Sequence, residues 1–110
     1  MSENIIHLRT EAELKSLIEK ETRAVIIDCY ADFCGPCKAI APFIDKLANS
    51  EVGYYVCFAK VNVEEAPELA NTLNIVAMPT FIAYKDGQQV YQFTGGSKDK
   101  LIELIKSITT

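Results

Sequence analysis

The stretch Ala24-Val-Ile-Ile-Asp-Cys-Tyr-Ala31 limits the possible folds of this chain more than any other. It is a nearly continuous apolar, β-branched run, the pattern of a strand buried on both faces of a parallel sheet. Such a strand needs parallel neighbours and helical cover above and below, so the run reads as the central strand of an α/β protein.

The flanking patterns agree with that frame. Residues 5–8 (Ile-Ile-His-Leu) make a short strand candidate, and Thr10-Glu-Ala-Glu13 is a capping box ahead of Leu14, Leu17 and Ile18 at helical spacing. Beyond the central run, Ile40, Phe43, Ile44, Leu47 and Ala48 trace one buried helical face, with Pro36 tolerated in the first turn and Pro42 expected to kink the helix. Residues 54–63 read as another strand, and Pro67 opens a short helix to about Leu73 with a thin stripe of Ala66, Leu69, Ala70 and Leu73. That βαβαβα order implies parallel strands joined by right-handed crossovers. Then the rhythm changes: residues 80–85 and 88–94 flank Asp86-Gly87, the sequence of a type I′ hairpin. Gly95-Gly96 interrupts the second strand, Ser97 can cap a last helix, and Leu101, Leu104, Ile105 and Ile108 give that helix a sheet-facing stripe. The expected architecture is a mixed five-stranded sheet with helices on both faces, in one domain over residues 1–110, with enough apolar residues for a core that needs no staples.

The net charge of −4 is interspersed rather than blocked, which argues against a nucleic-acid or anionic-membrane surface and points to protein partners. Met1-Ser-Glu-Asn-Ile-Ile-His-Leu8 has no basic leader region, and no stretch approaches the ~18 apolar residues of a membrane span. A soluble, cytoplasmic monomer is expected.

Directly after the central run comes Cys34-Gly35-Pro36-Cys37. Two thiols three positions apart, where a strand gives way to a helix, are placed to close a disulfide and reopen it; a structural disulfide or half of a metal site are the alternative readings. The other cysteines, Cys29 and Cys57, do not complete the paired spacing of common zinc modules. Cys29 alternates with Asp28 and should face away from it, and both thiols read as buried structural residues. His7, the only histidine, reads as a surface or satisfied residue.

With Asp28, Ala31 and Cys34-Gly35-Pro36-Cys37-Lys38, then Ala59-Lys60-Val61-Asn62-Val63, Met78-Pro79-Thr80, Lys85-Asp86-Gly87 and Gly95, the chain resembles the thioredoxin family over essentially its whole length. It departs from the family where two tryptophans usually stand, having Tyr30 and Phe33 there. Phe33 keeps a flat apolar neighbour beside Cys34 but has no indole N–H to donate. The resemblance implies a general protein disulfide reductase with no cofactor or metal beyond the Cys34–Cys37 pair. The donor would be an NADPH-dependent thioredoxin reductase, and the targets disulfide-containing proteins such as peroxiredoxins or ribonucleotide reductase. A disulfide oxidase or isomerase, and a non-catalytic binding module, are the alternatives.

In this reading Cys34, at a helix N-terminus, is the nucleophile, its thiolate favoured by free backbone N–H groups and the helix dipole. Lowering a thiol pKa also lowers its nucleophilicity, with a Brønsted slope of about 0.4 to 0.5, so tuning alone accelerates exchange little and positioning must supply the rest. Cys37 resolves the mixed disulfide by intramolecular attack. Asp28, desolvated within the apolar run, is the candidate proton acceptor, although it also reads as an ordinary buried or solvent-facing carboxylate. Lys60 resembles the family lysine near that aspartate, with a solvated strand-end lysine as the alternative. Met78-Pro79 resembles the family's cis-proline loop. Together with Phe33, Ile75, Val76, Gly95 and Gly96 it is expected to form a shallow substrate groove, unless these residues serve packing alone.

Overall fold

The computed structural model describes residues 4–110, so the reading of the first three residues lies outside it. Its elements follow the expected order: β1 (Ile5–His7), α1 (Glu11–Lys20), β2 (Ala24–Tyr30), α2 (Gly35–Ala48), β3 (Val56–Asn62), α3 (Pro67–Thr72), β4 (Thr80–Lys85), β5 (Gln88–Thr94) and α4 (Lys98–Ile108). The strands form one sheet in the order β1-β3-β2-β4-β5. β3 runs parallel to both β1 and β2, while β4 is antiparallel to β2 and to β5. β2 is thus the middle strand, as its unbroken apolar run requires.

Alternation along the strands sorts the core into two layers. Ala24 and Ile26 of β2, with Val56, Phe58 and Phe81, pack under Ile40, Ile44 and Ala48 of α2 and Leu101, Leu104 and Ile108 of α4. Val25, Ile27 and Cys29, with Cys57, Ala59 and Val61, pack against Leu14 of α1 and Leu69 of α3 on the opposite face. Thr10 caps α1 in a full capping box, and Ser97 caps α4 through the Lys100 N–H. Asp86 and Gly87 both adopt positive φ (53° and 79°), the backbone a type I′ turn needs. Among the described residues no helix is long and apolar enough to cross a membrane.

One local expectation is corrected. The strand read from Tyr54 begins at Val56, because residues Glu51–Tyr54 form a 3-10 turn. Ser50 starts that turn by accepting the Val52 N–H through Oγ, and Arg23 holds it by donating from Nη1 to the Gly53 carbonyl oxygen at 2.6 Å. These contacts override the β propensity of Tyr54 and Tyr55, which stay exposed. α2 runs over Gly35–Ala48 with Pro42 inside it.

Candidate active site

Topology brings four chain segments to one end of the sheet. β2 and β3 are parallel, so the turns leaving Tyr30 and Asn62 emerge side by side; the Val63 N–H donates to the Tyr30 carbonyl oxygen at 2.9 Å. β4 is antiparallel to β2, so its entry, Met78-Pro79, meets the exit of β2, and β5 returns its own exit to the same place through the Thr80–Thr94 pair. The ends of parallel strands at a change of strand direction are where open α/β sheets gather their ligands.

Cys34 and Cys37 are joined there by a disulfide, with Cα atoms 5.2 Å apart. Cys34 is the N-cap of α2, with extended backbone (φ −88°, ψ 110°), while Cys37 is already helical. That half-in position brings the two side chains together more closely than two helical residues three apart would stand. Cys34 Sγ accepts the Cys37 N–H at 3.2 Å, the contact a helix N-terminus offers an anion. Cys34 and Cys37 are 8% and 4% exposed, so little more than an edge of Cys34 meets solvent.

The surroundings of the disulfide come from the converging segments. The Met78–Pro79 bond is cis, and the Met78 carbonyl oxygen lies 3.5 Å from Cys34 Sγ. The Gly95 N–H donates to the Pro79 carbonyl oxygen at 2.9 Å. Gly96 lies so close to Pro36 that a Cβ there would stand 3.2 Å from the Pro36 carbonyl oxygen. Phe33, next to Cys34 in the chain, and Val76, two residues before Met78, are 70% and 93% exposed, and Met78 packs half-buried against Ala31, Cys34 and Cys37. Ile75 turns instead toward the α1/α3 core layer.

Asp28 lies on the α2 face of β2 and is 3% exposed. Its pKa is pushed up to about 6, by burial first, with the opposing charge of Lys60 holding it back. Its Oδ1 has no hydrogen-bond partner. Lys60 stands directly across from Asp28 in the β2–β3 register. Both line, together with Cys37, a cavity of about 350 Å³ under the start of α2. His7, paired with Lys60 across β1–β3, also lines it, as do Tyr30, Lys38 and Asp45. Sequence reasoning missed this cavity and the part of His7 and Tyr30 in it. The shared parity of Asp28 and Tyr30 was a visible signal, but the register placing Lys60 and His7 beside them was not.

Cys29 and Cys57 are buried free thiols on the opposite face, as the alternation with Asp28 indicates. Burial, reinforced by the negative charge of Asp28, pushes Cys29 up to about 12. Burial and the nearby Glu21 push Cys57 up to about 11. Both are inert as nucleophiles near neutral pH. Among the described residues no cluster of His, Cys, Asp and Glu is arranged to hold a metal ion.

Known proteins are similar to this chain over most of its length. The family model Thioredoxin matches residues 5–107. Thioredoxin-like protein 1 of Schizosaccharomyces pombe is 38% identical over 107 residues, which are 97% of this chain but only 37% of that protein, so the chain spans about a third of that relative's length. Thioredoxin Asp f 29 of Aspergillus fumigatus is 37% identical over 107 residues, 97% of each chain. Among solved structures, one describing the thiol-resolving mechanism of yeast mitochondrial 1-Cys peroxiredoxin via glutathione/thioredoxin systems contains a chain with a TM-score of 0.86, 35% identity and 94% coverage of both chains.

Proposed function

The chain belongs to the thioredoxin family and is a thiol–disulfide oxidoreductase, and we propose that it serves as a general protein disulfide reductase in the cytoplasm. The observation that carries the reading is the Cys34–Cys37 disulfide at the start of α2, whose Cys37 lines one cavity with the buried Asp28. Two further free cysteines, both buried, suit a reducing compartment.

In the reduced protein, the Cys34 thiolate attacks one sulfur of a substrate disulfide. That S–S bond breaks, a mixed disulfide forms, and the first substrate thiolate leaves. Cys37 gives its proton to Asp28, whose cavity has room for bridging water, and its thiolate attacks Cys34 Sγ. The mixed disulfide breaks, the second substrate thiolate leaves, and the proton passes from Asp28 to solvent or to the leaving sulfur. The protein has lost two electrons and the substrate has gained two. A thioredoxin reductase drawing on NADPH returns them, and peroxiredoxins or ribonucleotide reductase are fitting acceptors. The structural relative from the peroxiredoxin study supports the first of these. The Met78-Pro79 segment ahead of β4 and the exposed Phe33 and Val76 receive the substrate segment, with Gly95 and Gly96 as the wall behind Pro36.

The test is an insulin disulfide reduction assay driven by dithiothreitol. The protein should accelerate precipitation, and Cys34→Ser should abolish the acceleration. Cys37→Ser should accumulate mixed disulfides on Cys34. Normal turnover by either variant would overturn the assigned roles.

A further inference from the structure

Asp28 is enclosed but unpaired. Lys60 faces it directly in the sheet register, yet among the described residues the one ion pair is Arg23 with Glu21. The Lys60 ammonium lies instead over the ring of Tyr30, 5.4 Å from its centroid, within the range of a cation–π contact. Tyr30 follows Asp28 by two residues and therefore stands on the same face of β2. Asp28, Tyr30, Lys60 and Cys37 line one cavity. A carboxylate and an aromatic face thus share access to one flexible cation, and the aromatic face holds it.

We infer that Tyr30 is a positioning residue for the resolving step: its ring holds the Lys60 ammonium away from Asp28 and leaves that carboxyl unpaired in its cavity. The inference rests on the proposed role of Asp28 as proton acceptor. A carboxylate locked to a lysine is a poor base, whereas a desolvated, unpaired one retains a proton nearer neutral pH. Lys60 still opposes the effect of burial on Asp28, but from a distance. The other charged or titratable groups around this cavity are His7 on β1, Asp32 in the turn after β2, and Cys37, Lys38 and Asp45 of α2 or its first turn. None of them is paired with Asp28. From β4, the residue opposite Asp28 is the uncharged Phe81.

The experiment follows the Asp28 carboxyl by ¹³C NMR across a pH titration of the oxidised protein, in which Cys34 and Cys37 do not titrate. Tyr30→Leu keeps an apolar side chain but removes the π face. It should let Lys60 approach Asp28 and move the carboxyl midpoint down by about one pH unit, a tenfold change in the protonation equilibrium. Tyr30→Phe, which keeps the ring, should titrate like the parent protein. In a Lys60→Met background, Tyr30→Leu should no longer move the midpoint. An unchanged or raised midpoint in Tyr30→Leu, or an equal fall with and without Lys60, would overturn the inference. Tyr30→Met carries the same test should the leucine variant not fold. The midpoint is read without turnover, so a failure here is distinct from a failure of Asp28 as the base. The latter would appear as normal mixed-disulfide resolution in Asp28→Asn.

Discussion

One carboxylate stands just before β2 and another near its far end, and the two are treated in opposite ways. Just before the strand, Glu21 accepts from Arg23 through both oxygens, at 2.9 Å each, and this holds its pKa down at about 2. Near the other end, Asp28 has an unpartnered oxygen and a pKa raised to about 6. Arg23 also ties the turn before β3 to this bonded end. The paired carboxylate stabilises the fold and does no chemistry. The unpaired one destabilises the fold when ionised, and that is the condition under which it can take a proton from Cys37. Hydrogen bonding before the strand and its absence near the strand's far end separate a structural role from a reactive one.

The contrast can be tested from each side. Asp28→Asn should have the largest effect: in stopped-flow measurements the resolving step should slow by on the order of 10²-fold while the first attack of Cys34 changes little. Equal slowing of both steps would remove Asp28 from the base role. The same substitution should stabilise the oxidised protein at pH 7 by about 2 to 3 kcal/mol in urea unfolding. The sign follows from the raised folded-state pKa. Below about pH 4 Asp28 is protonated in both states and the gain is absent; it grows as pH rises and is complete above about pH 6.

Glu21→Gln should do the reverse, costing about 1 to 2 kcal/mol at neutral pH. The figure stays modest because Arg23 is 37% exposed and water screens the pair. Glu21 has a depressed folded-state pKa, so its contribution is present above about pH 4.5 and is lost as pH falls toward 2. Urea unfolding curves at pH 2.5 and pH 7 check this, with a cost that is the same at both counting against it. Arg23→Lys should be the mildest change, about 0.5 kcal/mol, since the charge remains but the fork spanning Glu21 and the Gly53 carbonyl is lost. A larger loss than that of Glu21→Gln would mean the tie to Gly53 outweighs the ion pair.

Much of this was legible from local pattern. The run from Ala24 announces a buried central strand, and Asp28 inside it announces a desolvated carboxylate. The Asp86-Gly87 hairpin, the Thr10 and Ser97 caps and the stripe of α4 follow from chemistry within one element. The opposed facing of Asp28 and Cys29 follows from alternation alone. The unread features depend on relations between elements. Tyr54 has the composition of a strand, and only Ser50 and Arg23 bend it into a turn. Lys60 and His7 join Asp28 because of pairing across three strands, which no single strand encodes. Tyr30 drew notice as a replacement for tryptophan, whereas its partner is an ammonium 30 residues away in sequence. The cis bond at Pro79 was foreseen through family resemblance, since nothing in Ala77-Met78-Pro79 alone demands it.

The Met78 carbonyl that faces Cys34 comes from 44 residues further along the chain, and the Gly96 approach to Pro36 from 60. On the ribosome, therefore, the two thiols emerge long before their enclosure does. The Cys34–Cys37 ring needs no distant residue to close, yet substrate selection waits for Met78, Pro79 and Gly96. For that interval the nascent chain has reactive sulfur without discrimination. A chaperone or low-molecular-weight thiol that meets it then encounters a less selective reagent than the finished protein.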